Sequence, residues 1–323
     1  MATTDAHSDD LLRSPEVDVL SAVDRHLTTT LVLGTLRWQL ALDARINTLL
    51  TRPDAKLSVE AATALRMGAY QLLFLERVPA HAVLNDSVEL VKQSKEPGAA
   101  GMVNAVLRKI HSAGPVPPDP EAAHPAWMVE RWVHRYGREA AHAICRWDQE
   151  PAGVTLRVRD PEADLDGIET EPGFFLTQAR RVLRGDVGAA FREGRVRIQD
   201  EASQVVAEIA AAAGTLVGKV LDTCAAPGGK TSILAERLPD AEITAMDVSR
   251  KRLDAMVRLL PGIAHRLHAD VADAAKLQLQ PEWDLILCDV PCSGTGTMAR
   301  NPEIRLHAAE ADLARQRARQ AAI

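Results

Sequence analysis

The chain has 323 residues, long enough for two or three domains and for a real buried core. Apolar residues make up 46% and charged residues 25%, ordinary globular usage that excludes a disordered or fibrous chain. Net charge is -6, so total charge does not mark a nucleic-acid binder; no run of about 18 apolar residues offers a membrane span, and the polar N-terminus carries no secretory signal.

Residues 1–16 read as a polar, frayed tail. From 17 to 112 the pattern is helical: Leu36, Leu40, Ile46 and Leu50 recur at helical spacing, as do Leu65, Leu72 and Leu75. Pro53, Pro79 and Pro97 punctuate the segment at helix-hairpin intervals, which predicts an all-α domain. Pro115, Pro117, Pro118, Pro120 and Pro125 make 113–125 a stiff linker. Residues 126–199 read as a small α+β subdomain: helices over 126–149, then a strand at 153–159, where Val154, Leu156 and Val158 alternate with polar residues. Six arginines (Arg180, Arg181, Arg184, Arg192, Arg195 and Arg197) follow in a ribbon around Val196 and Ile198. Such a ribbon either follows a phosphate backbone or is an edge strand kept charged against aggregation, and the residues alone leave both readings open. From 200 to 323 strand and helix alternate: strands at 220–223, 243–247, just before Asp270, and 284–289, with helices at 231–238 and 249–260. That rhythm predicts an α/β, Rossmann-like domain with a parallel sheet.

The chemistry concentrates in this last region. Asp222-Thr223-Cys224-Ala225-Ala226-Pro227-Gly228-Gly229-Lys230-Thr231 runs from strand through a Gly-rich turn into a helix. Such a turn lets a ligand approach the backbone, and a helix N-terminus favours negative charge. Gly229-Lys230-Thr231 imitates the end of a nucleotide-triphosphate loop, but Cys224 stands where that loop needs its first glycine, and Pro227 removes a cradling N–H. Asp247, ending the second strand, suits ribose hydroxyls, and Asp270 after the third suits the adenine region; a lone Asp at either place also serves as a helix cap. Asp289-Val290-Pro291-Cys292-Ser293-Gly294-Thr295-Gly296 follows the fourth strand, at the sheet edge where open α/β folds bind ligands. A thiol there, Cys292, reads as functional, whereas Cys145 and Cys288 read as small buried hydrophobes. The four cysteines fit neither a disulfide framework nor a zinc site, and indicate a reduced, cytoplasmic setting.

Together these two motifs resemble the RsmB/NOP family of RNA cytosine-C5 methyltransferases. Arg300-Asn301-Pro302-Glu303-Ile304-Arg305 and Gln199-Asp200-Glu201-Ala202-Ser203 are similar to flanking segments of that family. Gly34-Thr35-Leu36-Arg37, Gly68-Ala69-Tyr70-Gln71-Leu72, Val78-Pro79-Ala80-His81-Ala82-Val83-Leu84-Asn85 and Val103-Asn104-Ala105-Val106-Leu107-Arg108 resemble the NusB-like RNA-binding domain fused to its bacterial 16S rRNA members, and His124-Pro125-Ala126-Trp127 resembles their linker.

The resemblance implies a NusB-like all-α domain followed by a methyltransferase domain that takes S-adenosylmethionine. Its ligands would be Cys224, Ala225, Ala226, Pro227, Gly228, Gly229 and Lys230, with Asp247, Asp270 and Asp289. The implied partner is 16S rRNA, met by a monomer with no metal and no membrane, through Arg37, Arg108, Arg300 and Arg305. Asp289 would steady the base, and Cys292 would assist product release. The attacking cysteine of the family lies in a later Thr-Cys-Ser run, which this sequence does not contain. The expectation is an incomplete form, clipped at both ends and unable to complete turnover, with its fourth strand left as an unpaired hydrophobic edge. Asp148 stands where the family has Asn before its Gln-x-Pro. A non-catalytic RNA-binding module of NusB type is the main alternative, and a triphosphate hydrolase a remote one.

Overall fold

The structure is a computed structural model that describes residues 8–53, 56–213, 217–277 and 282–323. The chain forms two compact units, residues 8–152 with 294–312, and residues 153–293 with 313–323. The tail expected over 1–16 lies partly outside the described residues. From Ser8 onward it is ordered, because Ser8 is buried and both its N–H and its hydroxyl donate to the Glu303 carboxylate at 2.9–3.1 Å.

The first unit is helical. Its main elements are α1 (Ala22–Asn47), α2 (Val59–Phe74), α3 (Ala80–Lys92), α4 (Ala100–Ser112), α5 (Ala126–Tyr136) and α6 (Arg138–Trp147). Ser21 and Ser58 start α1 and α2 by accepting the N–H groups of Asp24 and Ala61, which satisfies donors that a helix start otherwise leaves bare. Leu42, Leu65, Val91, Val103, Leu107 and Ile110 interlock in one core. Each such side chain contributes about 1.5–3 kcal/mol on burial. Trp38, Tyr70 and Phe74 stack at 4.8–5.2 Å between ring centroids. A Cβ at Gly34 would lie 2.0 Å from the Tyr70 ring, so glycine there permits the crossing of α1 and α2. The 113–125 stretch is not a free linker: it carries a short 3-10 helix, Pro120–Ala123, and buries Ala123 and His124 within this unit.

The second unit holds two sheets. The smaller is antiparallel, ordered β2-β3-β1-β4, from β1 (Thr155–Val158), β2 (Glu169–Pro172), β3 (Ala179–Arg184) and β4 (Val196–Ile198). Leu156, Val158, Val182 and Val196 face its core. The larger is parallel, ordered β7-β6-β5-β8, from β5 (Lys219–Asp222), β6 (Glu242–Asp247), β7 (Leu267–Val271) and β8 (Leu285–Leu287). Helices α7 (Glu201–Ala212), α8 (Gly229–Arg237) and α9 (Arg250–Leu259) pack on it. Leu234 joins Val220 and Ile243, while Leu253 and Met256 join Ala245. Among the described residues β8 pairs only with β5 and is an edge, with Ile286 42% exposed. Helix α10 (Glu310–Ala322) follows at the end of the chain. The chain runs outward from β5 to β7, then returns to place β8 on the other side of β5. That reversal is where open sheets of this kind leave a crevice at their carboxyl edge.

Candidate active site

The crevice is built first by the turn between β5 and α8. Asp222 closes β5 and is 1% exposed. One carboxylate oxygen accepts the Thr231 hydroxyl at 2.8 Å and the other faces the Cys224 N–H at 3.4 Å, so the acid ties the turn to the helix that follows it. Burial pushes its pKa up to about 6, and the nearby Asp289 charge adds to the effect, against the two hydrogen bonds and Lys230. Ala225 N–H donates to the Met246 carbonyl at 2.8 Å, fastening the turn to β6. Gly228 caps α8 at φ 98°, and a Cβ there would lie 2.4 Å from Met256 Cγ. Only glycine meets both conditions, because the left-handed region costs an L-residue about 1–2 kcal/mol before any clash.

The cleft in front of this turn has a volume of about 490 Å³. Cys224 and Ala226 line it from the turn, Asp247 and Arg252 from the end of β6 and α9, and Asp273 from beyond β7; Asp289 and Cys292 do so from the segment after β8, and Arg319 from α10. Asp247 is 5% exposed; it accepts the Ser249 N–H at 2.8 Å and faces Arg252 at 3.3 Å. Asp289 pairs with Lys230 at 2.6 Å, which commits that lysine to a carboxylate and not to a phosphate. Burial raises the Cys224 thiol, the Thr223 hydroxyl opposes this, and the charges of Asp222 and Asp247 raise it further. Cys224 therefore stays a neutral thiol that shapes the wall. Cys292 is exposed at the cleft.

These residues suit S-adenosylmethionine. Three carboxylates, from Asp247, Asp273 and Asp289, offer acceptors to ribose hydroxyls and to a cationic amino-acid end, and the volume falls within the range of about 300–1,000 Å³ usual for small-molecule sites. Gly228 and Gly229 let the backbone come close; a Cβ at Gly229 would press on Gln199 at 3.0 Å.

Of the residues singled out in the sequence, Cys224, Ala226, Asp247, Asp289 and Cys292 converge on the cleft. Ala225, Pro227, Gly228, Gly229 and Lys230 shape the turn behind it without lining it. Asp270 does not reach it. It stands exposed on β7 opposite Met246, one step short of Val271, the register partner of Asp247. A one-residue step in a strand turns a side chain to the other face. Asp273 lines the cleft in its place, capping the short 3-10 helix Ala274–Lys276 through the Ala275 N–H. Arg252 and Arg319 also lie outside the sequence reading, since neither belongs to a motif.

Two of the expected RNA contacts are corrected. Arg37 is 6% exposed and donates to the Ala299 carbonyl at 2.9 Å. Arg305 is 1% exposed and donates to the carbonyls of Arg37, Ala123, Asp148 and Met298 at 2.9–3.5 Å. Desolvation lowers the pKa of both, Arg305 to about 10. They tie backbone segments of the first unit together and offer nothing to a ligand on the surface. Arg108 is exposed and Arg300 half-buried. Cys288 is exposed, not buried, because β8 ends at Leu287 on the sheet edge.

A parallel sheet with a glycine turn after its first strand, an acid ending the second and a Pro-Cys loop after the fourth defines a Rossmann-like methyltransferase. Comparison with known proteins carries this further. Residues 2–112 match the NusB family, 124–167 the ferredoxin-like domain of RsmF/B-like methyltransferases, and 215–323 the 16S rRNA methyltransferase RsmB/F family. The chain is 36% identical over 332 residues to the probable ribosomal RNA small subunit methyltransferase B of Bacillus subtilis, covering 93% of this chain and 72% of that protein. It is 33% identical to the ribosomal RNA small subunit methyltransferase B of Pseudomonas putida, over 90% of this chain and 71% of that one. Among solved structures, PH0851 shares the fold with a TM-score of 0.71 at 23% identity, over 93% of this chain and 73% of that one. NSun6 from Pyrococcus horikoshii does so at 0.51 and 18%, over 61% and 78%. The chain belongs to the ribosomal RNA small subunit methyltransferase B family, whose members transfer a methyl group from S-adenosylmethionine to ribosomal RNA.

Proposed function

We propose that this cleft serves methylation at C5 of a cytosine in 16S rRNA. The observation that supports it best is the meeting of Cys292 and Asp289 with Cys224 and Asp247 in one cleft at the carboxyl edge of β5, β6 and β8. S-adenosylmethionine, when bound, supplies an electrophilic methyl group on a sulfonium. The chain's own residues do the rest. Asp247 accepts ribose hydroxyls, and the turn at Gly228 brings backbone against the donor. The target base must leave its stack to enter. Cytosine C5 is a poor nucleophile. Addition of a thiolate at C6 moves electron density to C5, which would take the methyl group as the sulfonium–methyl bond breaks and the neutral thioether leaves; a base then removes the C5 proton, and departure of the thiolate restores the aromatic ring. Asp289 is the acceptor offered to the base edge, where it steadies the charge that develops. The resemblance gives attack at C6 to a cysteine in a Thr-Cys-Ser run, which residues 1–323 do not hold, and gives Cys292 the release step.

A methyl-transfer assay on unmodified 16S rRNA tests both parts. Residues 1–323 are expected to give no robust turnover, and any methyl group found is expected on cytosine C5. A methyl group on another atom overturns the chemistry. Robust 5-methylcytosine formation overturns the division of labour between Cys292 and the Thr-Cys-Ser cysteine.

A further inference from the structure

The arginine ribbon of the second unit divides in two. Arg180 donates to the Pro161 carbonyl, Arg181 pairs with Glu171, and Arg195 pairs with Glu193 at 2.7 Å. These cations are committed locally, as on a charged edge strand. Arg184 and Arg192 are exposed and carry no ion pair among the described residues, whereas Arg197 is half-buried. On β4 it is the register partner of Arg157 on β1, and Arg159 follows two positions later. Like charges placed directly opposite on neighbouring strands are destabilising. Arg157 is compensated: it is 3% exposed and meets Glu236 at 2.8 Å and Glu208 at 2.9 Å. Its Nη1 is nevertheless buried without a partner among the described residues. The side chains of Arg159 and Arg197 have no hydrogen bond or ion pair among the described residues.

All three arginines line a groove of about 640 Å³, together with Arg237 of α8 and an apolar wall from Leu259 to Ile263. Four arginines face two carboxylates, those of Glu208 and Glu236, because Glu193 is taken by Arg195. The local excess is two positive charges in a chain whose net charge is -6. An apolar wall beside such an excess focuses its field onto an entering anion. Desolvation lowers the pKa of Arg197, Glu236 works against that, and the neighbouring Arg157 and Arg159 charges lower it further; an anion in the groove removes that strain.

We propose that this groove holds a backbone phosphate of the RNA substrate, gripped by Arg159 and Arg197, with the unpaired Nη1 of Arg157 at its base. Guanidinium forks match phosphate oxygens in pairs, which suits them to this ligand better than a lysine would be. The proposal rests on the rRNA reading above and adds an anchor that shares no lining residue with the donor cleft.

The test uses the 1–323 chain and unmodified 16S rRNA, with affinity measured across a salt series. Each phosphate left without its arginines lowers the slope of log K against log salt by about 0.7–0.9, so R159A/R197A, which frees one phosphate, is expected to show a slope shallower by about 0.7–0.9 and to bind about 5- to 8-fold more weakly at 0.1 M salt. Affinity for S-adenosylmethionine is expected to stay unchanged. The thermal midpoint of Arg197→Ala is expected to hold or rise, because a repulsion is removed; a purely structural arginine would lower it. An unchanged slope with RNA still bound overturns the groove while leaving the rRNA reading intact. So does a wild-type slope accompanied by stabilisation of the wild-type chain, but not the double variant, by inorganic phosphate, which marks a free-anion site. No binding of 16S rRNA at all overturns both.

Discussion

Asp222 offers the sharpest energetic test of how the donor turn is held. Its side chain is almost completely buried, and desolvation raises its pKa from 3.8 to about 6. The folded state therefore holds this proton more tightly than the unfolded state. The stability that comes with the proton is present at low pH and is lost as pH rises through the folded value. A shift from 3.8 to about 6 corresponds to about 3 kcal/mol in full. Between pH 5 and 7.5 the two titrations together remove on the order of 1 kcal/mol. Asp222→Asn keeps an oxygen to accept the Thr231 hydroxyl and deletes the titration. Because the chain has two compact units, the readout is urea-dependent hydrogen exchange at the β5 amides, which reports the unit that contains Asp222. The stability of Asp222→Asn relative to wild type is expected to rise by on the order of 1 kcal/mol from pH 5 to 7.5. A constant difference across that range would show that the acid is not held out of water by the turn, and the account of the turn would be wrong.

Other substitutions probe neighbouring claims. Gly228→Ala faces a left-handed backbone worth about 1–2 kcal/mol and a clash with Met256 worth about 1–3 kcal/mol. Urea unfolding of the second unit should show both, and Met256→Ala in the same chain should recover only the clash; a near-neutral Gly228→Ala would contradict the packing. Arg305→Lys keeps the charge but loses the fork that reaches four carbonyls. Leaving buried acceptors unpaired costs about 1–3 kcal/mol, read as a fall in first-unit stability, with the salt slope of RNA binding unchanged. A changed salt slope without a stability loss would return Arg305 to the RNA surface.

The alternating second half was legible because parallel strands buried by helices leave a strong pattern. The strands expected at 220–223, 243–247 and 284–289 appear at Lys219–Asp222, Glu242–Asp247 and Leu285–Leu287. The glycine turn was legible because only Gly228 satisfies its backbone. What the sequence hid were facts of register and burial. Asp270 and Asp273 are equivalent as letters; the pairing of Val271 with Asp247 decides which can face the cleft. Arginine is rarely buried, so Arg37 and Arg305 read as surface residues until four chain segments are seen to close around one guanidinium. Cys288 follows a hydrophobic strand and reads as core, yet among the described residues its strand is an edge. The arginine ribbon could be divided only once β4 was known to pair with β1.

The central claim is that the turn after β5 and the acid ending β6 hold S-adenosylmethionine. Titration calorimetry of the 1–323 chain with S-adenosylmethionine, beside Asp247→Ala, tests it most directly. One site is expected, weakened by about 10- to 100-fold in the variant, as the loss of hydrogen bonds to a charged acceptor of about 1.5–3 kcal/mol requires. No uptake of S-adenosylmethionine by the wild-type chain, or equal affinity in the two proteins, would contradict it.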